Sequence, residues 1–136
     1  MHVMNQKEME KAVMEFNLFG AKLQEMEQQL QTIEKFILEL QNTGNSLEEL
    51  KEAKADQETL SPIGQGIFVK SKLQDNKEVM VEIGAKVFAK KSIDEARGLL
   101  DKKALNFVAL REKLVEQMEA IVHKMQKIEA NLVNEK

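Results

Sequence analysis

The sequence predicts a mainly α protein with a small β insert, in which a long antiparallel coiled-coil hairpin is joined by two β-hairpins. Two observations support this fold class: apolar residues recur every three or four positions in both halves of the chain, and the segment between them alternates with a period of two. Helices with such narrow apolar stripes must pair to bury them. The strands between them leave open edges, so we expect other chains to complete the sheet.

The composition favours an elongated protein. A single domain over residues 1–136 is expected from the length, and six Phe without Trp or Tyr are too few for a thick core. The absence of cysteine excludes disulfides and zinc-thiolate sites and fits a reducing compartment. The amino terminus lacks an apolar signal core, and no run approaches the ~20 apolar residues of a membrane span. We therefore expect a cytoplasmic protein without a membrane partner.

The first helix is predicted from about residue 6 to about residue 54. Its apolar stripe keeps a 3.5-residue period, which is typical of a left-handed supercoil with a partner helix. Gly44, within the polar stretch 42–45, weakens the helix, but we expect no break there. The stripe consists of Met9, Ala12, Phe16, Phe19, Leu23, Met26, Leu30, Ile33, Ile37, Leu40, Gly44 and Leu47.

The second helix is predicted over residues 92–134. Ser92 and Glu95 have the spacing of a capping box, in which each side chain bonds to the backbone N–H of the other residue. The stripe contains successive steps of four at Leu110, Leu114 and Met118, which predict a stutter in the supercoil. It consists of Ile93, Ala96, Leu100, Ala104, Phe107, Leu110, Leu114, Met118, Ile121, Met125, Ile128 and Leu132. Antiparallel pairing would bring both chain termini to one free tip.

Residues 59–91 form four short predicted strands, with a turn at 75–78, and hence two β-hairpins. Apolar residues alternate on both faces of these strands, so we expect contact with other subunits to bury them. The residues predicted to mediate assembly, called the assembly set below, are Leu60, Ile63, Ile67, Val69, Val79, Val81, Ile83 and Val87.

Chemistry-bearing patterns are weak in this sequence. The run from Gly64 to Gly66 precedes a strand, whereas phosphate-cradling loops precede a helix, so a turn is favoured. His2 and His123 lack metal-ligand spacing, and no elongated hairpin offers a pocket that separates two carboxylate pKa values. Lys/Arg clusters with interleaved aromatics, typical of nucleic-acid binding, are missing. We therefore expect no enzyme activity, metal, cofactor or nucleic-acid partner.

Methionine and other apolar residues concentrate toward the predicted free tip. Six apolar residues lie off the stripes with nothing evident to bury them, which is typical of a binding site for apolar partners: Met4, Val13, Met14, Leu18, Val122 and Val133. The stripe methionines have an alternative interpretation as ordinary seam residues. The candidate client-binding residues, called the terminal surface below, are Met4, Met9, Val13, Met14, Phe16, Leu18, Phe19, Ile121, Val122, Met125, Ile128 and Leu132.

Three motifs together resemble the α-type subunits of the prefoldin family over nearly the whole chain. They are Leu60-Ser-Pro-Ile-Gly-Gln-Gly-Ile-Phe-Val-Lys70, Val79-Met-Val-Glu-Ile-Gly-Ala-Lys-Val-Phe-Ala-Lys-Lys91 and Ser92-Ile-Asp-Glu-Ala96. Two hairpins distinguish the α type from the β type, which has one. Ser61, where the family often has Val, and Gln65, where Ala is common, are modest departures that disturb neither turn nor strands.

The resemblance implies a hexamer of two α-type and four β-type subunits. In such a hexamer the strands form a β-barrel platform, and coiled-coil tentacles hold unfolded client proteins at their tips for transfer to a group II chaperonin without ATP. Some α-like paralogues assemble into filaments, so a structural coiled coil that forms a filament or tether remains the alternative. Apolar residues at the tip favour the chaperone, because a tether gains nothing from exposing them.

Overall fold

The computed structural model describes residues 3–134 and confirms the predicted order of helix, two hairpins and helix. Its elements are α1 (Gln6–Glu52), β1 (Glu58–Gly64), β2 (Ile67–Lys72), β3 (Glu78–Gly84), β4 (Val87–Ser92) and α2 (Ile93–Asn134). Residues up to Ile37 and from Asn106 onward form one compact unit, here called the terminal unit. Residues 38–105 form a second, here called the hairpin unit. Neither described helix combines the length and apolarity that crossing a membrane requires.

Side chains cap the starts of both helices. Asn5 Oδ1 accepts the backbone N–H of Glu8 at 2.8 Å, and Asn5 Nδ2 donates to Glu8 Oε1 at 3.1 Å. At α2 the predicted capping box forms, because Ser92 Oγ accepts the Glu95 N–H at 3.0 Å while Glu95 Oε1 accepts the Ser92 N–H at 3.5 Å. The bonds accepted from the backbone N–H groups of Glu8, Glu95 and Ser92 satisfy donors that a helix start otherwise leaves unpaired.

Helix α1 runs through the polar stretch 42–45 without a break, as predicted. Thr43 Oγ1 donates to the Glu39 carbonyl at 2.8 Å, and Ser46 Oγ donates to the Asn42 carbonyl at 3.0 Å. Each hydroxyl thus bonds to the carbonyl oxygen four residues earlier in the same helix, a pattern that serine and threonine adopt inside helices.

The predicted seam of α1 is buried or half-buried from Ala12 to Leu47, and only Met9 counts as exposed. In the terminal unit, Phe36 beside the seam stacks on Phe107 of α2 with ring centroids 5.4 Å apart. The side chains that are buried most fully among residues 3–134 are all seam members: Met26, Ile37, Ile93, Ala96 and Leu114. The seam therefore supplies the core, as the 3.5-residue period predicts.

The seam of α2 differs from the prediction at one position. Leu110 is 51% exposed, and Arg111 takes the half-buried place in the seam. With Arg111 the steps from Phe107 onward alternate regularly between four and three, so the predicted stutter at 110–118 is wrong. The successive steps of four at Ala96, Leu100 and Ala104, which the predicted stripe also contains, remain in the seam. The apolar character of Leu110 suggested a burial that the helix geometry gives to its neighbour.

The two hairpins are copies of each other, twenty residues apart. Glu58 pairs with Lys72 and Thr59 with Ser71, while Glu78 pairs with Ser92 and Val79 with Lys91. Each hairpin has a register shift before its turn, between Pro62 and Gly64 in the first and between Glu82 and Gly84 in the second. Each forms a separate two-stranded antiparallel sheet. Two-stranded sheets are marginal alone, so both need further packing.

The turns of the two hairpins share one backbone conformation. Gly64, Gln65 and Gly66 have φ angles of 132°, 50° and 78°, and the second turn has 126° at Gly84, 49° at Ala85 and 61° at Lys86. Glycine at the first position relieves strain that a Cβ would introduce. The glycines at 64–66 thus serve a turn, which confirms the turn interpretation of this run.

Candidate functional site

The terminal surface lies in the terminal unit, where α1 and α2 run antiparallel. Lys124 Nζ of α2 lies 5.7 Å from the ring centroid of Phe19, a cation–π contact. A Cβ added at Gly20 would lie 3.7 Å from Met125 Cε, an ordinary van der Waals distance, so these two residues face each other. The N-terminal part of α1 is therefore paired with the C-terminal part of α2, as the antiparallel prediction requires.

Burial divides the terminal surface into half-buried and exposed members, and Met4, expected to have nothing to bury it, is half-buried. The half-buried members are Met4, Phe16, Phe19, Ile121, Met125, Ile128 and Leu132. The exposed members are Met9, Val13, Met14, Leu18 and Val122. The seam interpretation thus holds for Met26, which is buried, and for Met118 and Met125, which are half-buried, whereas Met9 is 37% exposed. The exposed side chains are the ones available to a partner.

Val13, Met14 and Leu18 form the most exposed part of this surface. Met14 and Leu18 are each 65% exposed and lie four residues apart, hence on one face of α1. Together with Glu10 and Asn17 they line a shallow depression of about 400 Å³. Apolar area here stays in contact with water at a cost of ~25 cal/mol per Å² relative to burial. A partner that covers it gains that free energy.

The assembly set lies on the two hairpins, and the strand registers place its members on faces. Five of the eight, Ile67, Val69, Val79, Val81 and Val87, share one face of their own hairpin, because opposite residues in an antiparallel ladder point the same way. Ile63 and Ile83 lie at the register shifts and have no partner in the ladder. Leu60 lies on the other face of the first hairpin, opposite Lys70. The exposed members are Leu60, Ile63, Ile67, Val69, Ile83 and Val87, while Val79 and Val81 are half-buried.

The opposite faces of the hairpins carry apolar side chains that the assembly set omitted. Phe68, Met80 and Phe88 are all more than half exposed. Phe68 and Phe88 occupy equivalent positions, facing Pro62 and Glu82 respectively. The twenty-residue repeat is the sequence signal that could have identified this pair. Both faces of each hairpin therefore offer apolar surface to other chains.

A groove of about 770 Å³ lies in the hairpin unit between β3 and the two helices. The lining residues are Thr43, Leu47, Val79, Met80, Val81, Glu82, Ile83, Ala96, Leu99, Leu100 and Lys103. β4 covers one edge of β3, and no described strand pairs with the other edge. The backbone groups of that edge are free to pair with a strand from another chain.

Ion pairs join the two helices in the hairpin unit. Arg97 Nη1 lies 2.7 Å from Glu48 Oε1 and 3.4 Å from the Gly44 carbonyl oxygen to which it donates. Lys51 Nζ lies 3.0 Å from Asp94 Oδ1. The hydrogen bond to Asp94 and its negative charge raise the pKa of Lys51. All four side chains are more than a third exposed, so water screens these pairs and they add little stability.

Titratable side chains are dispersed along the described part of the chain. Across residues 3–134, no cluster of three His, Asp or Glu side chains could share a metal ion. His123 is exposed on α2, and His2 lies outside the described residues. The arrangement instead offers apolar surfaces on helices and strand edges, which suit the binding of other polypeptides.

Comparisons with known proteins agree with this fold. The prefoldin subunit family model matches residues 19–135. The prefoldin alpha subunit of Pyrococcus horikoshii is 34% identical over 73% of this chain and 68% of that protein. The alpha subunit of Thermofilum pendens is 22% identical over 90% and 95%, respectively.

A solved structure shows the same fold. A chain of filamentous prefoldin from Methanocaldococcus jannaschii superposes with a TM-score of 0.75, at 18% identity, over 84% of this chain and 94% of that one. The family model and the Pyrococcus relative carry the assignment beyond the fold. The chain therefore belongs to the prefoldin family, as a subunit of the alpha type.

Proposed function

We propose that this chaperone subunit binds non-native proteins on its terminal surface, prevents their aggregation without ATP and delivers them to a group II chaperonin. The observation that carries the proposal is the exposure of Val13, Met14 and Leu18 together on one side of α1. Methionine and leucine side chains adapt to different apolar partners because they change rotamer at low cost. Unfolded proteins present such apolar segments in many sequences.

We propose that the hairpins mediate assembly, with two copies of this chain joining four β-type subunits around a β-barrel platform in the cytoplasm. Exposed apolar side chains on the strands support this, since Ile67, Ile83 and Val87 are each more than half exposed. Unpaired edges in both two-stranded sheets support it as well. Burial between subunits would remove both liabilities.

ATP independence is supported by the backbone at the one glycine-rich run. Gly64 ends β1, and the turn leads directly into β2 at Ile67. A phosphate-cradling loop instead places its N–H groups at a helix N-terminus, where the dipole favours an anion. Client release would then depend on transfer to the chaperonin rather than on hydrolysis.

An aggregation assay with the assembled oligomer tests client binding. Met14→Ser combined with Leu18→Ser should reduce suppression of aggregation of an unfolded substrate, measured by light scattering. The matched control is Leu105→Ser, which changes a leucine that is 69% exposed but belongs to the hairpin unit. Deleting residues 1–14 together with 126–136 should have a larger effect and spare assembly. Unchanged suppression by both variants would refute binding at the terminal surface.

A filament or tether is the second candidate function. The structural neighbour from Methanocaldococcus jannaschii is itself filamentous. Mixing this chain with a β-type subunit and measuring the mass distinguishes the two, because the chaperone proposal expects a closed hexamer of fixed mass. An extended homopolymer whose mass rises with protein concentration and which does not incorporate the β-type subunit would favour the filament.

A further inference from the structure

We propose that a groove along one side of the terminal coiled coil binds an amphipathic helix that carries lysine or arginine beside its apolar face. The groove has a volume of about 420 Å³ and lies wholly within the terminal unit. Its apolar lining consists of Leu23, Leu30, Val115, Met118 and Val122. The inference rests on the proposed function in one respect, since the bound helix is taken to be a segment of a non-native protein.

The heptad pattern explains why the groove forms on this side. Val115 and Val122 each follow a seam residue and lie seven residues apart, so they project from the same side of α2. Val115 is half-buried, whereas Val122 is 37% exposed. Leu23 and Leu30 are half-buried seam residues of α1 that reach the same space. An apolar side chain entering the groove would therefore meet apolar atoms from both helices.

The lining favours a helix over an extended segment. Both walls are α-helices whose backbone groups are bonded internally, so the groove offers no ladder to pair with a strand. An extended segment buried there would leave its own N–H and C=O groups unpaired, at a cost of ~1–3 kcal/mol each. A helix satisfies its backbone internally and presents apolar side chains at i, i+3, i+4 and i+7.

Charge at the rim selects the flanks of the bound helix. Glu27 and Glu119 line the groove from opposite helices, and both are exposed. The remaining polar lining residues are His123 and Gln126, and the lining includes no lysine or arginine. A helix with basic residues beside its apolar face would pair with both carboxylates, whereas an acidic flank would be repelled.

The groove differs from the exposed depression on α1. Val13, Met14 and Leu18 lie outside its lining, and Val122 is the residue that groove and terminal surface have in common. The depression has one acidic residue, Glu10, and draws all its lining from α1. Variants can therefore separate the two surfaces.

Two synthetic amphipathic helices test the charge preference on the assembled oligomer. Both carry the same leucine face, one flanked by lysines and the other by glutamates, and binding is followed by fluorescence anisotropy. The lysine-flanked peptide should bind more tightly at low salt. Glu27→Gln combined with Glu119→Gln should lower the affinity for this peptide by about fivefold and reduce the salt dependence of binding. The matched control, Glu112→Gln with Glu129→Gln, removes two exposed carboxylates outside the groove and should leave the affinity unchanged.

A second variant tests the apolar wall. Val122→Ser should lower the affinity for both peptides, because the substitution removes apolar contact without altering charge. The control Leu110→Ser changes a leucine that is exposed and lies outside the groove, so binding should persist. Methyl NMR shifts on adding the lysine-flanked peptide should concentrate at Val115 and Val122. Shifts confined to Met14 and Leu18 would instead place the peptide in the depression and overturn the proposal.

Failure of the groove and failure of the proposed function give different results. Equal affinity for the two peptides, or wild-type binding by the groove variants, would refute helix binding in the groove. Suppression of aggregation by the same oligomer would still support the proposed function. Groove-dependent peptide binding by an oligomer that fails to suppress aggregation would support the groove as a helix-binding site. It would also refute the holdase proposal.

Discussion

The side-chain amide of Asn76 donates a hydrogen bond of 2.8 Å to the backbone carbonyl of Ala53. A second bond from the same nitrogen reaches the Lys51 carbonyl at 3.1 Å. Helix α1 ends at Glu52, and the last carbonyls of a helix have no partner within it. The segment that joins the two hairpins therefore caps the first helix. The Asn76 side chain therefore ties the connection between the hairpins to the end of α1.

Asn76→Ala should destabilise the protein by about 1 kcal/mol, because water replaces the amide only in part at the half-buried Ala53 carbonyl. The free energy of unfolding, measured by urea denaturation at fixed protomer concentration, tests this. Gln74→Ala is the control, since Gln74 lies in the same connection and makes no hydrogen bond in the described structure. Equal stability of both variants would show that the cap contributes nothing.

Local patterns predicted the strands and the cap of α2, whereas contacts distant in sequence were missed. The bonds between Ser92 and Glu95 span three residues, so their spacing alone identifies them. The bond from Asn76 to Ala53 spans 23 residues and depends on how the connection folds back. Asparagine in a turn gives no sign of which distant carbonyl it will meet.

The parts of the candidate sites that could be predicted are those in which the apolar period of one helix or strand determines which face a residue lies on. Alternation places Ile67, Val69, Val79, Val81 and Val87 on one face of their hairpins, but Leu60 pairs with Lys70 and lies on the other face. The groove beside Val115 and Val122 was missed, since it forms only when two helices meet. An apolar stripe shows which residues of one helix are buried. The shape of a groove beside the seam depends also on the side chains of the second helix, which the stripe does not specify.

Replacing Arg111 by leucine should stabilise the coiled coil, by about 1 kcal/mol or more. Arg111 is half-buried in the seam, and among residues 3–134 it has no ion pair to offset loss of water. Thermal unfolding of the assembled protein is the measurement. Leu110→Gln should have little effect because Leu110 is exposed, whereas Leu114→Ala should cost ~2–5 kcal/mol at a buried seam position. Strong destabilisation by Leu110→Gln would restore the seam with Leu110.

Asp75 should make the connection between the hairpins sensitive to acid. Its carboxylate accepts the N–H groups of Glu78 at 3.0 Å and Lys77 at 2.8 Å, and these bonds lower its pKa below the ordinary value of 3.8. Stabilisation by the ionised group is fully present above that ordinary value and is lost as pH falls through the lowered pKa.

Asp75→Asn keeps an acceptor without the charge, so the stability difference between wild type and variant should shrink as the pH falls below the ordinary pKa. Urea denaturation of both proteins across this acid range checks the prediction. A difference that stays constant with pH would mean that the carboxylate titrates alike in the folded and unfolded chain.

Val81→Asp should prevent assembly. Val81 is half-buried on β3 beside the open edge and lines the hairpin-unit groove, so a subunit docking there would bury the new carboxylate without a partner, at a cost of several kcal/mol. Size-exclusion chromatography with light scattering gives the mass. Val133→Asp makes the same change at an exposed valine near the end of α2 and should assemble normally. A wild-type mass for Val81→Asp would place the interface elsewhere.

Client capture should be broad, independent of nucleotide and dependent on several subunits acting together. Each apolar contact at Met14 or Leu18 is worth on the order of 1 kcal/mol, too little for a tight single site. Several subunits that hold one unfolded chain raise its effective concentration at the remaining sites, and this multiplies the affinity without any new contact. Two unrelated unfolded proteins should therefore bind the assembled oligomer more tightly than the unassembled Val81→Asp chain, which retains Met14 and Leu18. Binding should be the same with and without ATP. Equal affinity for the assembled and unassembled forms, or a requirement for ATP, would contradict capture by many weak apolar contacts.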